Sequence, residues 1–311
     1  MPYFHAFIEK FPTVADLANA PEEEILRTWQ GLGYYSRARN LHACARYIVN
    51  ENNGEFPDNY AGLLKLKGVG PYTAAAIASF AYKEPVAVLD GNVFRVLARV
   101  FGLDMDISSP KGKKEFEKLA NKLISKKSPD QYNQAIMEFG ALQCVPKNPD
   151  CNQCPISSGC YALKYDLVNT LPVNEKKVKI KSRYFLYFHI HIGDYTVVRK
   201  RKEKDIWQGL IDFPLEEYTL LDDIVNIDPD KLNLPAALYS MDPHYSLSSE
   251  KPYKHILTHQ RIFASFVNIE LKATHKVALE NWAIANEYDL VDEAVLESLG
   301  KPKLIVRYLN Q

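Results

Sequence analysis

Four cysteines within 17 residues constrain this chain more than any other feature: Cys144, six residues, Cys151, two residues, Cys154, five residues and Cys160. Pro146, Pro149 and Pro155 keep the intervening turns short, so the four soft thiolates can surround one metal centre. Four cysteines also suit tetrahedral zinc, but zinc sites favour two tight knuckles and only one pair here is tight. The spacing favours iron–sulfur and leaves zinc open. Either centre would be structural, because no open ligand position is suggested. The fifth cysteine, Cys44, stands alone in an apolar helical stretch, so there is no disulfide framework and a cytoplasmic chain is expected.

At 311 residues the chain suits two domains, and an apolar share of 47% is enough for ordinary cores. Lys and Arg together number 38, as do Asp and Glu, so any nucleic-acid surface must be local. No apolar run is long enough to span a membrane, and the chain opens without a signal-peptide pattern.

Apolar residues recur at helical spacing in Tyr3, Phe4, Phe7, Ile8 and Phe11, in Leu41, Ala45, Ile48 and Val49, and in Phe116, Leu119, Leu123 and Ile124. Thr13, Ser109 and Ser128 are candidate N-caps. A helical domain over residues 1–168 is therefore expected. Residues 169–183 hold Pro172 and the basic run Lys176, Lys177, Lys179, Lys181 and Arg183, which reads as a solvated linker. The period then changes to strand-like. Tyr184–Ile192, the Gly193-Asp194 turn and Tyr195–Val198 form a predicted hairpin, with a further strand at Arg261–Leu271 and a short helix near Val291–Leu299. Residues 184–311 are expected to form a smaller α+β domain.

Two stretches carry candidate chemistry. In Leu66-Lys67-Gly68-Val69-Gly70-Pro71-Tyr72-Thr73, two glycines precede a helix start whose free N–H groups suit a phosphate oxygen. A G-x-G alone is weak, because many tight helix–helix turns look alike. In Val86-Ala87-Val88-Leu89-Asp90-Gly91-Asn92-Val93, one carboxylate lies inside an apolar run just before a helical pattern. Asp90 is either an N-cap or a tuned, charge-stabilising group, and spacing does not choose.

Taken in order, hairpin, aspartate and cysteine cluster resemble the endonuclease III superfamily of helix-hairpin-helix DNA glycosylases, over about residues 2–165. Gly31-Leu32-Gly33-Tyr34-Tyr35-Ser36-Arg37-Ala38-Arg39-Asn40 resembles the signature of its adenine-specific (MutY-type) members. The resemblance implies an all-α helix-hairpin-helix glycosylase domain whose Cys144, Cys151, Cys154 and Cys160 hold a 4Fe–4S cluster. It implies hydrolysis of the N-glycosidic bond of adenine mispaired with 8-oxoguanine or guanine, acting as a monomer on double-stranded DNA of the nucleoid. Asp90 would stabilise the sugar cation, supported by Tyr72 and Asn92. Leu32 and Tyr34 would enter the duplex beside the orphan base, and Gly68, Val69, Gly70 and Thr73 would hold the backbone. Bifunctional relatives carry a lysine in the hairpin; Tyr72 stands in that place, which implies a monofunctional enzyme.

Arg199 and Asp205–Pro214 resemble the start of a Nudix-type domain, without the metal box of the hydrolases. In the adenine-specific family such a domain checks 8-oxoguanine through a Phe-Ser-His loop, which reads here Leu257-Thr258-His259. Thr258 keeps a hydroxyl for the oxidised base, while Leu257 lacks the aromatic ring. The family's catalytic glutamate sits in an S-E-x-M-L-Q-Q-T helix shortly before a Pro-Tyr-Phe segment, and this chain opens on Met1-Pro2-Tyr3-Phe4. The resemblance therefore implies an N-terminally shortened chain lacking its general acid. A catalytically silent lesion-binding protein is the alternative reading.

Overall fold

The computed structural model describes residues 2–176, 179–227, 232 and 234–310. Two units divide the chain, one formed by Met1–Arg46 with Val178–Gln311 and the other by Tyr47–Lys177. In chain order the helices are α1 (Pro2–Lys10), α2 (Val14–Asn19), α3 (Glu22–Thr28), α4 (Tyr35–Glu51), α5 (Tyr60–Leu63), α6 (Pro71–Tyr82), α7 (Gly91–Phe101), α8 (Pro110–Leu123), α9 (Pro129–Leu142) and α10 (Tyr161–Lys164).

Local chemistry sets these boundaries. Thr13 and Asp16 form a capping box at α2, each accepting the other's backbone N–H at 3.1 and 3.0 Å. Ser109 caps α8 through the Gly112 N–H at 2.9 Å, and Pro110 occupies the first turn. Ser128 holds the N-cap position of α9 but makes no side-chain cap bond. Its own N–H instead binds the Ser125 hydroxyl at 3.1 Å, and Pro129 removes one orphan donor from the turn. Gly112 is required sterically, since a Cβ there would lie 2.0 Å from the Asp106 carbonyl oxygen.

The core of residues 47–177 centres on α7, whose Val93 and Leu97 pack with Phe116, Ala120 and Ile124. Leu171 joins this core, Val173 accepts from the Ile107 N–H at 3.0 Å, and Lys181–Arg183 already belongs to a strand. The two ends of the segment read as a linker thus join a core and a strand, while Lys176 and Lys179 are exposed and Lys177 lies outside the described residues.

The second half carries a mixed sheet. Its strands are β1 (Lys181–Ile192), β2 (Tyr195–Lys200), β3 (Ile211–Asp212), β4 (Leu215–Tyr218), β5 (His244–Leu247), β6 (Tyr253–Ile256), β7 (Gln260–Glu270) and β8 (Asp289–Asp292). Central β1 pairs parallel with β7, from Lys181 opposite Gln260 to His191 opposite Glu270. The predicted hairpin is present as β1 and β2, with His191 opposite Thr196. Helices α11 (Asp222–Val225), α12 (Ala236–Tyr239), α13 (Lys276–Ala285), α14 (Glu293–Ser298) and α15 (Lys303–Leu309) complete the described elements.

Both faces of β1 are covered, as a parallel pair requires. Leu186, Phe188, Ile190 and Ile192 point into a core with Val267, Ile269, Leu279 and Ala283. The intervening Phe185, Tyr187 and His189 meet an aromatic layer: Tyr187 stacks on Phe266 at 5.0 Å and His189 on Phe213 at 4.5 Å. His189 Nδ1 lies 2.8 Å from the Tyr308 hydroxyl. Burial, and then His191, lower the His189 pKa to about 4, so the ring is neutral at physiological pH.

Candidate functional site

Asp90 follows an extended stretch that has no strand partner, so side-chain amides satisfy its backbone. Asn133 is fully buried; its amide nitrogen donates to the Val86 carbonyl at 2.9 Å and its oxygen accepts from the Val88 N–H at 3.1 Å. Asn121 accepts from the Ala87 N–H at 2.9 Å. Thus held, Asp90 caps α7: Oδ1 accepts from the Val93 N–H at 2.8 Å and Oδ2 from the Asn92 amide at 2.9 Å. The capping and chemical readings of Asp90 are compatible, because each oxygen takes one of these donors and retains further acceptor capacity.

Arg95, one turn along α7, carries this arrangement inward. It is 7% exposed and donates to Asn92 Oδ1 at 2.9 Å, Gly140 O at 2.6 Å and Cys144 O at 2.7 Å. Arg99, 2% exposed, donates to Val145 O at 2.8 Å, Pro146 O at 3.0 Å and Leu171 O at 3.0 Å, and lies 3.4 Å from Cys144 Sγ. One helix face therefore connects the Asp90–Asn92 pair to the start of the cysteine loop.

Cys144, Cys151, Cys154 and Cys160 line a single cavity with Val100, Phe139 and Leu163. Burial, and then the charges of Cys160, Cys144 and Cys154, push the Cys151 thiol upward. Among the described residues no group of three or more His, Cys, Asp or Glu is arranged to hold a single metal ion.

The glycine hairpin lies between α5 and α6. Leu63 and Leu66 anchor it in the core, while Gly68, Gly70, Tyr72 and Thr73 are exposed. Gly68 needs its freedom, with φ at +78°. Gly70 caps α6 with no side chain and Pro71 follows, leaving first-turn N–H groups at the surface. The Tyr72 hydroxyl donates to Met137 Sδ at 3.9 Å, a weak contact.

In the other unit, Gly31 (φ +99°) and Gly33 (φ +72°) bend the chain between α3 and α4. The Trp29 indole donates to the Gly33 carbonyl at 3.0 Å, and the Gly31 N–H reaches the Tyr35 hydroxyl at 3.4 Å. This stapled loop presents Leu32 and Tyr34, which are 44% and 64% exposed, with Tyr34 in the left-handed region at φ +50°. Leu257-Thr258-His259 is the tip of the β6–β7 hairpin, closed by the Leu257 N–H on Gln260 O at 2.8 Å. The Lys181 N–H holds the His259 carbonyl at 3.0 Å. The two loops meet, with 3.0 Å between the Tyr34 and Thr258 hydroxyl oxygens.

Together they bound a cavity of about 400 Å³ that also takes in Arg39, Asp205, Trp207, His255 and Lys303. Burial, and then Arg307 and Lys303, hold His255 below the usual imidazole range. Leu32, Tyr34, Leu257, Thr258 and His259, proposed from sequence as base contacts, all line this one cavity.

Residues 1–126 match the family described as HhH-GPD superfamily base excision DNA repair protein. An adenine DNA glycosylase from Buchnera aphidicola subsp. Schizaphis graminum is 32% identical over 292 residues, covering 90% of this chain and 83% of that protein. The chain belongs to the adenine DNA glycosylases. The adenine DNA glycosylase of Buchnera aphidicola subsp. Baizongia pistaciae is 37% identical over 69% of this chain and 61% of its own length. The human adenine DNA glycosylase is 45% identical over 161 residues, 51% of this chain and 30% of its own length. Relative to these last two, the chain spans only part of the protein it matches.

The sequence assigned no role to Arg95, Arg99, Arg39 or Trp207. Arg95 and Arg99 did leave a signal: two charges four residues apart inside Val93–Val100 are costly to bury without partners. Arg39 and Trp207 lie in stretches that carry the resemblance, but nothing local pointed to the contact between their segments, which are far apart in the chain.

Proposed function

We propose that this chain excises adenine from double-stranded DNA where it is mispaired with 8-oxoguanine or guanine, by hydrolysis of the N-glycosidic bond. The observation that carries this reading is the cavity shared by the Leu32–Tyr34 loop and the Leu257–His259 tip. Two stretches more than two hundred residues apart, each suggestive of the same orphan base, converge on one place.

The glycosidic bond is shielded in the stack, so the adenine must leave the helix first. Tyr34 and Leu32 are exposed, apolar and held by a rigid loop, as a wedge between base steps must be. The N–H groups after Gly68-Val69-Gly70 suit a phosphate oxygen and would fix the backbone without reading sequence. Adenine would depart with the bonding electrons and take up a proton from solvent. The positive charge growing on the sugar would be stabilised by the Asp90 carboxylate, and water would then add to the sugar with loss of a proton. Asn92 fixes one Asp90 oxygen and Arg95 fixes Asn92, so the carboxylate is oriented before charge develops. Tyr72, in the hairpin place of the bifunctional lysine, offers no amine for a Schiff base, which fits a monofunctional enzyme.

The four cysteines fit a 4Fe–4S cluster: all four line one cavity, and the donor set is entirely thiol. Zinc sites favour two tight cysteine knuckles, and here only the Cys151–Cys154 pair is tight. Cys144, Cys151, Cys154 and Cys160 would hold the cluster, which would cross-link the loop beneath α7. The sheet domain, with its nucleotide-sized cavity and no carboxylate metal box, would serve as a Nudix-like reader of 8-oxoguanine.

The test is binding and single-turnover adenine release on 8-oxoguanine:adenine, guanine:adenine and matched duplexes. Selective binding of the mispairs with release of free adenine is expected. Equal affinity for all three duplexes would overturn the proposal.

A further inference from the structure

One wall of the cavity is a loop whose buried Trp207 sits in a costly backbone conformation. Between β2 and β3 the chain turns through Lys202–Gly209, with Trp207 at φ +63° and Gly209 at φ +83°. A tryptophan in the left-handed region is costly and persists only where its surroundings impose it. The base of the turn is closed by backbone bonds, Arg201 N–H to Leu210 O at 2.9 Å and Gly209 N–H to Arg201 O at 2.8 Å. Its outer part is held by the Asp205 N–H on Glu203 O at 2.8 Å, by Arg199 on Glu203 at 2.9 Å, and by two arginines from other elements.

Arg183 of β1 donates to Asp205 Oδ2 at 2.6 Å and grips Glu217 with two bonds of 2.8 and 2.6 Å. This clamp lies within the sheet domain. The second comes from α4: Arg39 Nη1 donates to the Gln208 carbonyl oxygen at 2.6 Å. Arg39 stands five residues after Tyr34, on the helix that the glycine loop opens. This bond, made across 169 residues of chain, ties the loop carrying Tyr34 to the wall carrying Trp207.

We propose that Arg39 is a positioning residue of the recognition cavity. By holding the Gln208 carbonyl it keeps Asp205, Ile206 and Trp207 at the spacing from Tyr34 and Thr258 that a purine needs. The consequence for DNA rests on the reading of this cavity as the orphan-base site; the clamp itself does not. A charge-assisted bond to a carbonyl is among the stronger single hydrogen bonds, and lysine keeps its charge and donor but not its planar fork.

The experiment uses the full chain and the variants Arg39→Met and Arg39→Lys, in two measurements. In the DNA-free protein, amide hydrogen exchange across residues 205–210 is expected to quicken about tenfold in Arg39→Met and to return most of the way in Arg39→Lys. On duplexes, Arg39→Met is expected to lose about tenfold of the preference for 8-oxoguanine:adenine over guanine:adenine, chiefly through KM rather than kcat. Unchanged exchange across 205–210 in Arg39→Met overturns the proposal, as does faster exchange without any loss of preference. If the wild-type chain shows no preference between the duplexes, the functional reading fails, and the exchange result alone then decides whether Arg39 positions the wall.

Discussion

Tyr34 and Thr258, 224 residues apart in the chain, hold their hydroxyl oxygens 3.0 Å from each other. Both side chains are exposed, so nothing buries this bond, and either hydroxyl can exchange it for a base edge. Thr258→Val keeps the shape and removes the hydroxyl. It is expected to lower the preference for 8-oxoguanine:adenine over guanine:adenine by about tenfold, since a site built to bond a polar group discriminates through it. The ratio of single-turnover rates on the two duplexes measures this, and an unaltered ratio would remove Thr258 from base recognition.

Asp90→Asn should leave α7 capped, because asparagine is as good an N-cap as aspartate. Binding of a mispaired duplex is then expected within about threefold of wild type, while adenine release falls by about 10²–10³-fold, the usual loss when one electrostatic stabiliser is removed. Equal release by both proteins would assign Asp90 to capping alone.

Arg95→Met leaves the Gly140 and Cys144 carbonyls and the Asn92 amide oxygen without a donor in a buried setting. Unfilled buried acceptors cost about 1–3 kcal/mol each, so about 3 kcal/mol is a fair expectation for the set. Thermal unfolding should shift downward by about 10 °C. A shift under about 2 °C would mean that water takes over these acceptors at little cost.

Cys154→Ser tests the cluster directly. Wild-type protein is expected to be brown, absorbing near ~400 nm, with iron and sulfide in equal amounts. The variant should lose colour and iron together and unfold at a lower temperature. A colourless wild type carrying one zinc per chain would instead establish the other four-cysteine centre.

His189 sets a pH dependence whose sign follows from its burial. Its pKa is near 4 folded and 6.5 unfolded, so between these values the unfolded chain binds more protons. Stability from this group is complete above pH 6.5 and is lost as pH falls toward 4, by about 3 kcal/mol in all. Denaturation midpoints of wild type and His189→Gln across this range should converge as the pH drops. Parallel curves would show that the ring does not titrate as described.

What the sequence disclosed, and what it withheld, follows from the range of the interactions. The β1–β2 hairpin was legible because a period of two and a Gly193-Asp194 turn are local. The capping positions of Thr13, Ser109 and Asp90 were legible for the same reason. Ser128 was only half legible: its place at the helix start is local, but its side chain makes no cap bond and its own N–H is taken by the Ser125 hydroxyl. Asn133, which staples the approach to Asp90 from 45 residues away, had no local signature. Arg39 stood in a marked stretch, but its contact with Gln208, 169 residues on, did not show in the sequence.

The Leu257-Thr258-His259 tip lies outside the strand ladder, which closes at Ile256 opposite Arg261. Side chains at such a tip can be exchanged without disturbing the pairing of β6, β7 or β1. Selection can therefore retune what this loop touches while the scaffold stays fixed. In this chain the residues freest to drift are the same three that are proposed to read the orphan base.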